Sequence, residues 1–294
     1  MSKVEDIRRP AVAGYFYEAD ASQLRRRIEW CFRHRIGPGL LPERSGEGER
    51  ESIGYVVPHA GYVYSGPVAA HAYYALSREK RPETIILIGP NHTGAGPPVS
   101  LAPWRKWRTP LGIMEVDVEL RDYLVKRGGV IVPDYEAHLF EHSLEVQLPF
   151  IQYVYGEEVK ILPIVALEQT PSVAEAVVAE LEEAVEALGR DAVILASTDF
   201  NHYDPHDVTF RKDMRAIEAM ESLDVEEFYR VVMREDVSVC GPLGVMVLML
   251  LARRRRGGRP EILAHATSGD TSGDLSHTVG YVAAKFPLRA SGAI

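Results

Sequence analysis

Between Thr84 and Thr93 the chain reads Thr-Ile-Ile-Leu-Ile-Gly-Pro-Asn-His-Thr. Residues 85–88 are apolar, three of them isoleucine, and leave no polar face, so the run predicts a central strand covered on both sides. Gly89-Pro90 ends it, because proline has no N–H to give a ladder and glycine tolerates a sharp change of direction. His92 is thereby delivered just past a strand end, where ligands collect in open α/β sheets. Gly54-Tyr55-Val56-Val57-Pro58 repeats the arrangement on a shorter run and puts His59 directly after its proline.

Five further strands are expected at Gly112–Val116, Lys160–Val165, Ala192–Ser197, Glu261–Ala266 and Thr278–Lys285. Helical patterns fall between them. They cover Ala21–His34, Gly66–Arg78, Val118–Arg127, Ser143–Tyr155, Pro171–Leu188, Arg211–Leu223, Val225–Met233 and Pro242–Arg255. Pro149 is expected to kink the fourth, and Pro67 to sit in the first turn of the second. Strands separated by helices predict a largely parallel or mixed sheet covered on both faces. No internal repeat or linker divides residues 1–294, so one domain is expected. Residues 37–51, rich in Gly, Pro, Ser and Glu, read as a surface loop.

A net charge of −9 argues against nucleic acid and anionic membrane as partners, since both are attracted by basic surfaces. Arg253–Arg256 closes a helical pattern where cations suit the helix dipole. Only Cys31 and Cys240 occur, and the N-terminus carries no hydrophobic signal, so reducing cytoplasm is expected. Cys31 shares a helix face with Leu24 and Ile28 and reads as an inert buried thiol. The longest apolar run, Pro242–Ala252, is about half of the roughly 20 residues a membrane span needs.

Four constellations could carry chemistry. His59, His92 and Cys240 each end an element, and Cys240 precedes a helix start, a position that stabilises a thiolate. Imidazole and thiolate are ligands of zinc, copper and iron. Asp199 and His202 follow the Ala192–Ser197 strand and read either as an acid–base pair or as a capping Asp beside a surface His. His138 and His142 stand four apart, close enough to share one helix face, a spacing that could also bind metal, with Glu145 one turn on to orient His142. The alternative for His142 and Glu145 is a buried polar pair that anchors the helix. Ser268–Asp274, rich in hydroxyls and carboxylates, reads as a tight turn with Asx bonds.

Seven ordered motifs resemble the Memo family, whose archaeal and bacterial members also appear as protein B of the AmmeMemoRadiSam group. They are Arg9–Gly14, Val57–Gly66, Gly89–His92, Glu141–Phe150, Ser197–Tyr203, Cys240-Gly241 and Ser268–Asp270. The resemblance implies a three-layer α/β/α sandwich similar to class III extradiol dioxygenases. It also implies iron or copper, with zinc compatible, on His59, His92 and Cys240, and Asp199 and His202 in the same cleft. The implied activity is redox or oxygenase chemistry on a small substrate. Two rival readings are a non-catalytic cleft for a peptide or protein, and a copper- or iron-handling protein. The group association suggests partner proteins of a shared pathway.

Overall fold

The computed structural model describes residues 6–43 and 48–288; part of the expected 37–51 loop and both chain ends lie outside the described residues. In chain order the first strands are β1 (Ile7–Arg8), β2 (Ser52–Val57), β3 (Thr84–Pro90), β4 (Val99–Leu101), β5 (Lys106–Thr109) and β6 (Gly112–Glu115). They continue as β7 (Ile131–Pro133), β8 (Lys160–Ala166), β9 (Ala192–Ser197), β10 (His202–Asp204), β11 (Glu261–Thr267) and β12 (Thr278–Pro287). The helices are α1 (Ala21–Arg33), α2 (Tyr62–Ser77), α3 (Val118–Arg127), α4 (Glu136–Leu139) and α5 (Leu148–Tyr155). After them come α6 (Pro171–Leu188), α7 (His206–Glu221), α8 (Val225–Arg234), α9 (Pro242–Arg254) and α10 (Ser268–Ser272).

Nine strands form the central sheet in the order β10-β12-β2-β9-β3-β8-β4-β7, with β11 pairing β12. Its middle, β2-β9-β3-β8, is parallel, while β12 and β4 run antiparallel to their inner neighbours. The sheet is therefore mixed around a parallel centre. Because side chains alternate along a strand, β3 feeds two cores. Ile86 and Ile88 pack with α3, α6, α8 and α9, whereas Ile85 and Leu87 pack with α1, α2 and α5. The residues of β9 divide in the same way, Ile194 and Ala196 to one side, Val193 and Leu195 to the other. These are the three layers of an α/β/α sandwich.

Five local readings change, the first being the start of α7, which lies at His206, five residues before the expected Arg211. Gly112–Glu115 is not a strand of the central sheet; it turns back on β5 and joins β1 in a separate three-stranded sheet. Helix α2 begins at Tyr62, four residues earlier than expected, so Pro67 lies inside it. Pro149 does not kink a helix but opens one, since an N–H is dispensable in a first turn; a 3₁₀ turn, Glu145–Gln147, precedes it. Ser268–Ser272 is a short helix, held by a capping box between Thr267 and Asp270. Cys31 is fully buried beside Gly66, and burial pushes its thiol pKa up.

Candidate metal centre

Strands β2, β9 and β3 are adjacent, parallel and in register, with Val57 opposite Ser197 and Ile88 opposite Ala196. Their carboxyl ends stop at one level, so the residues that follow them converge. His59 follows β2, His92 follows β3 and Asp199 follows β9. The segment before α9 closes the fourth side. Cys240 N–H donates to Asp199 O (3.2 Å) and Gly241 N–H to Thr198 Oγ1 (2.9 Å). Position 241 is glycine for a steric reason: a Cβ there would lie 2.7 Å from the Ser197 carbonyl oxygen. The result is a cavity of about 670 Å³ lined by His59, His92, His142, Asp199, His202 and Cys240, together with Phe16, Tyr203 and Lys212.

Among the described residues, His59, His92 and His142 form a group whose ligand atoms all lie within 4.8 Å of one another. Their tautomers follow from the hydrogen bonds behind them. Ser197 Oγ gives its proton to Ser143 O (2.6 Å) and accepts from Gln147 Nε2 (2.8 Å), so toward His59 Nδ1 (3.1 Å) it accepts again. His59 therefore carries its proton on Nδ1 and turns a lone pair on Nε2 to the cavity. Glu141 does the same for His92 and takes the backbone N–H of His142 (2.8 Å). Its Oε1 lies 2.9 Å from His92 Nδ1 and 3.5 Å from His142 Nδ1. Two imidazoles with Nδ1–H held by a protein acceptor, and a third beside the same carboxylate, present the donor pattern of a histidine metal site.

Charge in the cavity follows from burial. Desolvation, reinforced by His142 and His92, pushes the His59 pKa well below its ordinary value and keeps the ring neutral. Burial also lowers the pKa of His142 and of His202. For Glu141 burial acts upward, but the His92 hydrogen bond and charge, with the Ser143 N–H, outweigh it and bring the carboxyl to about 2. Asp199 goes the other way. Burial raises it to about 7 against the hydrogen bond from His59 N–H to Oδ1 (2.7 Å).

The sequence compares with known proteins over nearly its whole length. Residues 8–285 match the family model described as Memo-like protein. A MEMO1 family protein of Ignicoccus hospitalis is 55% identical over 282 residues, 96% of this chain and 99% of the relative. The chain belongs to the Memo family. MEMO1 family proteins of Sulfolobus acidocaldarius and Desulfurococcus amylolyticus are 51% and 50% identical, each across 95% of this chain and 99% and 98% of their own.

Within this Memo protein the residues expected to act together do not all meet in the expected way. His59, His92, Asp199, His202 and Cys240 reach one cavity. His142, whose spacing from His138 could bind metal, does stand in a histidine group, but with His59 and His92 rather than His138, while Cys240 lies outside it with Sγ 3.2 Å from His59 Nε2. Against the helix-start argument for a low Cys240 pKa, burial, then Asp199, push the thiol up, while Asp199 N–H donates to its Sγ (3.2 Å). His202 does not pair with Asp199 through Nδ1, which donates to Ser238 O (2.8 Å). Glu145 does not orient His142. It is fully buried and accepts from Arg8 Nη1 (2.6 Å), Ala11 N–H (2.8 Å), Val12 N–H (2.9 Å) and Tyr17 OH (2.7 Å). His138 shares no helix face with His142, because α4 stops at Leu139; its Nε2–H donates to Ser100 O, and burial brings its pKa to about 3. Glu141, which does orient the histidines, was overlooked as an actor. Its one sequence signal is adjacency to His142.

Proposed function

We propose that this Memo protein holds a transition metal on Nε2 of His59, His92 and His142, with the Cys240 thiolate as a fourth donor. Iron or copper is the proposed metal, and zinc accepts the same donors. The observation that carries the reading is the convergence of His59, His92 and His142 on one cavity with their ligand atoms within 4.8 Å of one another, His59 Nδ1–H being held by Ser197 and His92 Nδ1–H by Glu141. When bound, the metal supplies a Lewis-acid and redox centre to which a small substrate has access.

The chain's own residues support an oxidoreductase of dioxygenase-like type. Asp199, with a pKa near 7, changes protonation at neutral pH, and its Oδ2 lies 4.0 Å from His59 Nε2. His202, whose Nδ1–H is held by Ser238 O, keeps Nε2 as a proton acceptor in the same cavity. The thiol of Cys240 must lose its proton to join the metal, so binding is expected to release acid. A cytoplasmic setting, where the two thiols stay reduced, belongs to this reading. No helix among the described residues is long and apolar enough to cross a membrane.

The deciding experiment is metal analysis of anaerobically purified protein, followed by Co²⁺ titration of the stripped protein. One equivalent of metal, with a thiolate charge-transfer band lost in Cys240→Ser and retained in Cys31→Ser, supports the full ligand set. Metal retained without that band reduces the site to three histidines. Protein that takes up no metal overturns the reading and leaves a peptide- or protein-binding cleft. Metal bound tightly with no change on exposure to oxygen or reductant favours a copper- or iron-handling role.

A further inference from the structure

His59 and His92 hang from strands of the sheet, but His142 does not. It lies between α4, which ends at Leu139, and the 3₁₀ turn that starts at Glu145, in a segment with no ladder of its own. Part of its hold comes from Ser143, whose Oγ–H donates to Pro90 O (2.9 Å) and whose carbonyl accepts from Ser197 Oγ (2.6 Å), and part from the other end of the chain. Arg8 is 1% exposed and sits on β1, with its guanidinium 4.2 Å from the Trp107 ring centre. Nε–H donates to His138 O (2.8 Å), Nη2 to Glu141 O (2.7 Å) and Nη1 to Glu145 Oε2 (2.6 Å). One planar group therefore ties the chain on both sides of His142. From the same N-terminal segment, Phe16 lays its ring 4.5 Å from the His142 ring.

We infer that Arg8 is the positioning residue of the metal-binding segment: it fixes the backbone from which Glu141 and His142 reach the site, so that metal affinity depends on residues 7–17 being docked. This rests on the metal reading above. An arginine suits the task because its fork reaches two carbonyls and a carboxylate at once, which an ammonium does not. Arg8 touches no ligand nitrogen and acts only through the segment it holds.

The test is Co²⁺ affinity of the full chain, read from the visible spectrum, in native protein, Arg8→Met, His142→Ala and the double variant. Arg8→Met is expected to raise the Kd about 10- to 100-fold, the usual range for losing an outer-shell partner. In the His142→Ala background most of that factor should vanish, because the residue through which Arg8 acts is gone. Where circular dichroism shows Arg8→Met unfolded, Arg8→Lys, which keeps a charge beside Glu145, carries the test with the same expected sign. An unchanged Kd, or the same loss in both backgrounds, overturns the inference and leaves Arg8 merely structural. A native chain that binds no Co²⁺ is a different failure: it removes the metal reading itself.

Discussion

Glu141 is 2% exposed, yet its carboxylate receives His92 Nδ1–H and the backbone N–H groups of His92, His142 and Ser143. Glu141→Gln keeps the shape but replaces an acceptor by a donor at one oxygen. The expected result is a Co²⁺ affinity about 10- to 100-fold weaker, checked by titration. Asp199 makes the opposite kind of prediction. Its carboxyl is raised from an ordinary 3.8 to about 7 in the fold, so the folded state binds its proton more tightly than the unfolded chain does. The associated stability is fully present below about pH 4 and is lost as pH rises toward 7. Asp199→Asn removes this dependence. Metal-free wild type should therefore lose, between pH 4 and 7, up to about 4 kcal/mol relative to the variant, at about 1.4 kcal/mol per pH unit. Parallel denaturant-midpoint curves for the two proteins across that range would sink the idea. At this scale the sequence was partly legible: strand-end histidines announce themselves by the Pro that precedes them or lies two residues before them. Glu141 does not, because its partner His92 is 49 residues away and only the fold brings them together.

Among elements, long buried ones were readable and short ones were not. The β3 and β9 strands declare themselves through continuous apolar runs, and α9 through its length and its opening Pro242. The strands β1, β4, β7 and β10 have two or three residues each, too few for any period to show. β6 was found but put in the wrong sheet, since four residues say nothing about which edge they will join. The close approach of the α9 start to the end of β9 is a prediction of its own. Gly241→Ala would press a methyl against the Ser197 carbonyl, 2.7 Å away, and should cost about 1–3 kcal/mol, read as a lower denaturation midpoint. Cys240 would shift with it, so the same variant should bind Co²⁺ with an altered charge-transfer band. An unchanged midpoint and band would show that this junction yields easily.

For the molecule as a whole, the sheet runs without a break from β11 to β7, and both cores are fed by the same strands. We expect residues 6–288 to unfold as one unit, with calorimetric and van't Hoff enthalpies in agreement. Two resolved transitions would speak against a single domain. Metal present at about 100 times its Kd should add about 2.7 kcal/mol to that unfolding free energy. Chain order matters here as well. In the sheet β9 lies between β2 and β3, but in the chain it follows β3 by about a hundred residues. During synthesis, then, His59 and His92 leave the ribosome long before the strand that spaces them apart. An ion captured by that early pair would draw β2 toward β3 and shut the gap into which β9 has to insert. On the proposed metal reading, loading belongs after folding, and refolding begun in excess Co²⁺ should run slower than refolding in which Co²⁺ is added last.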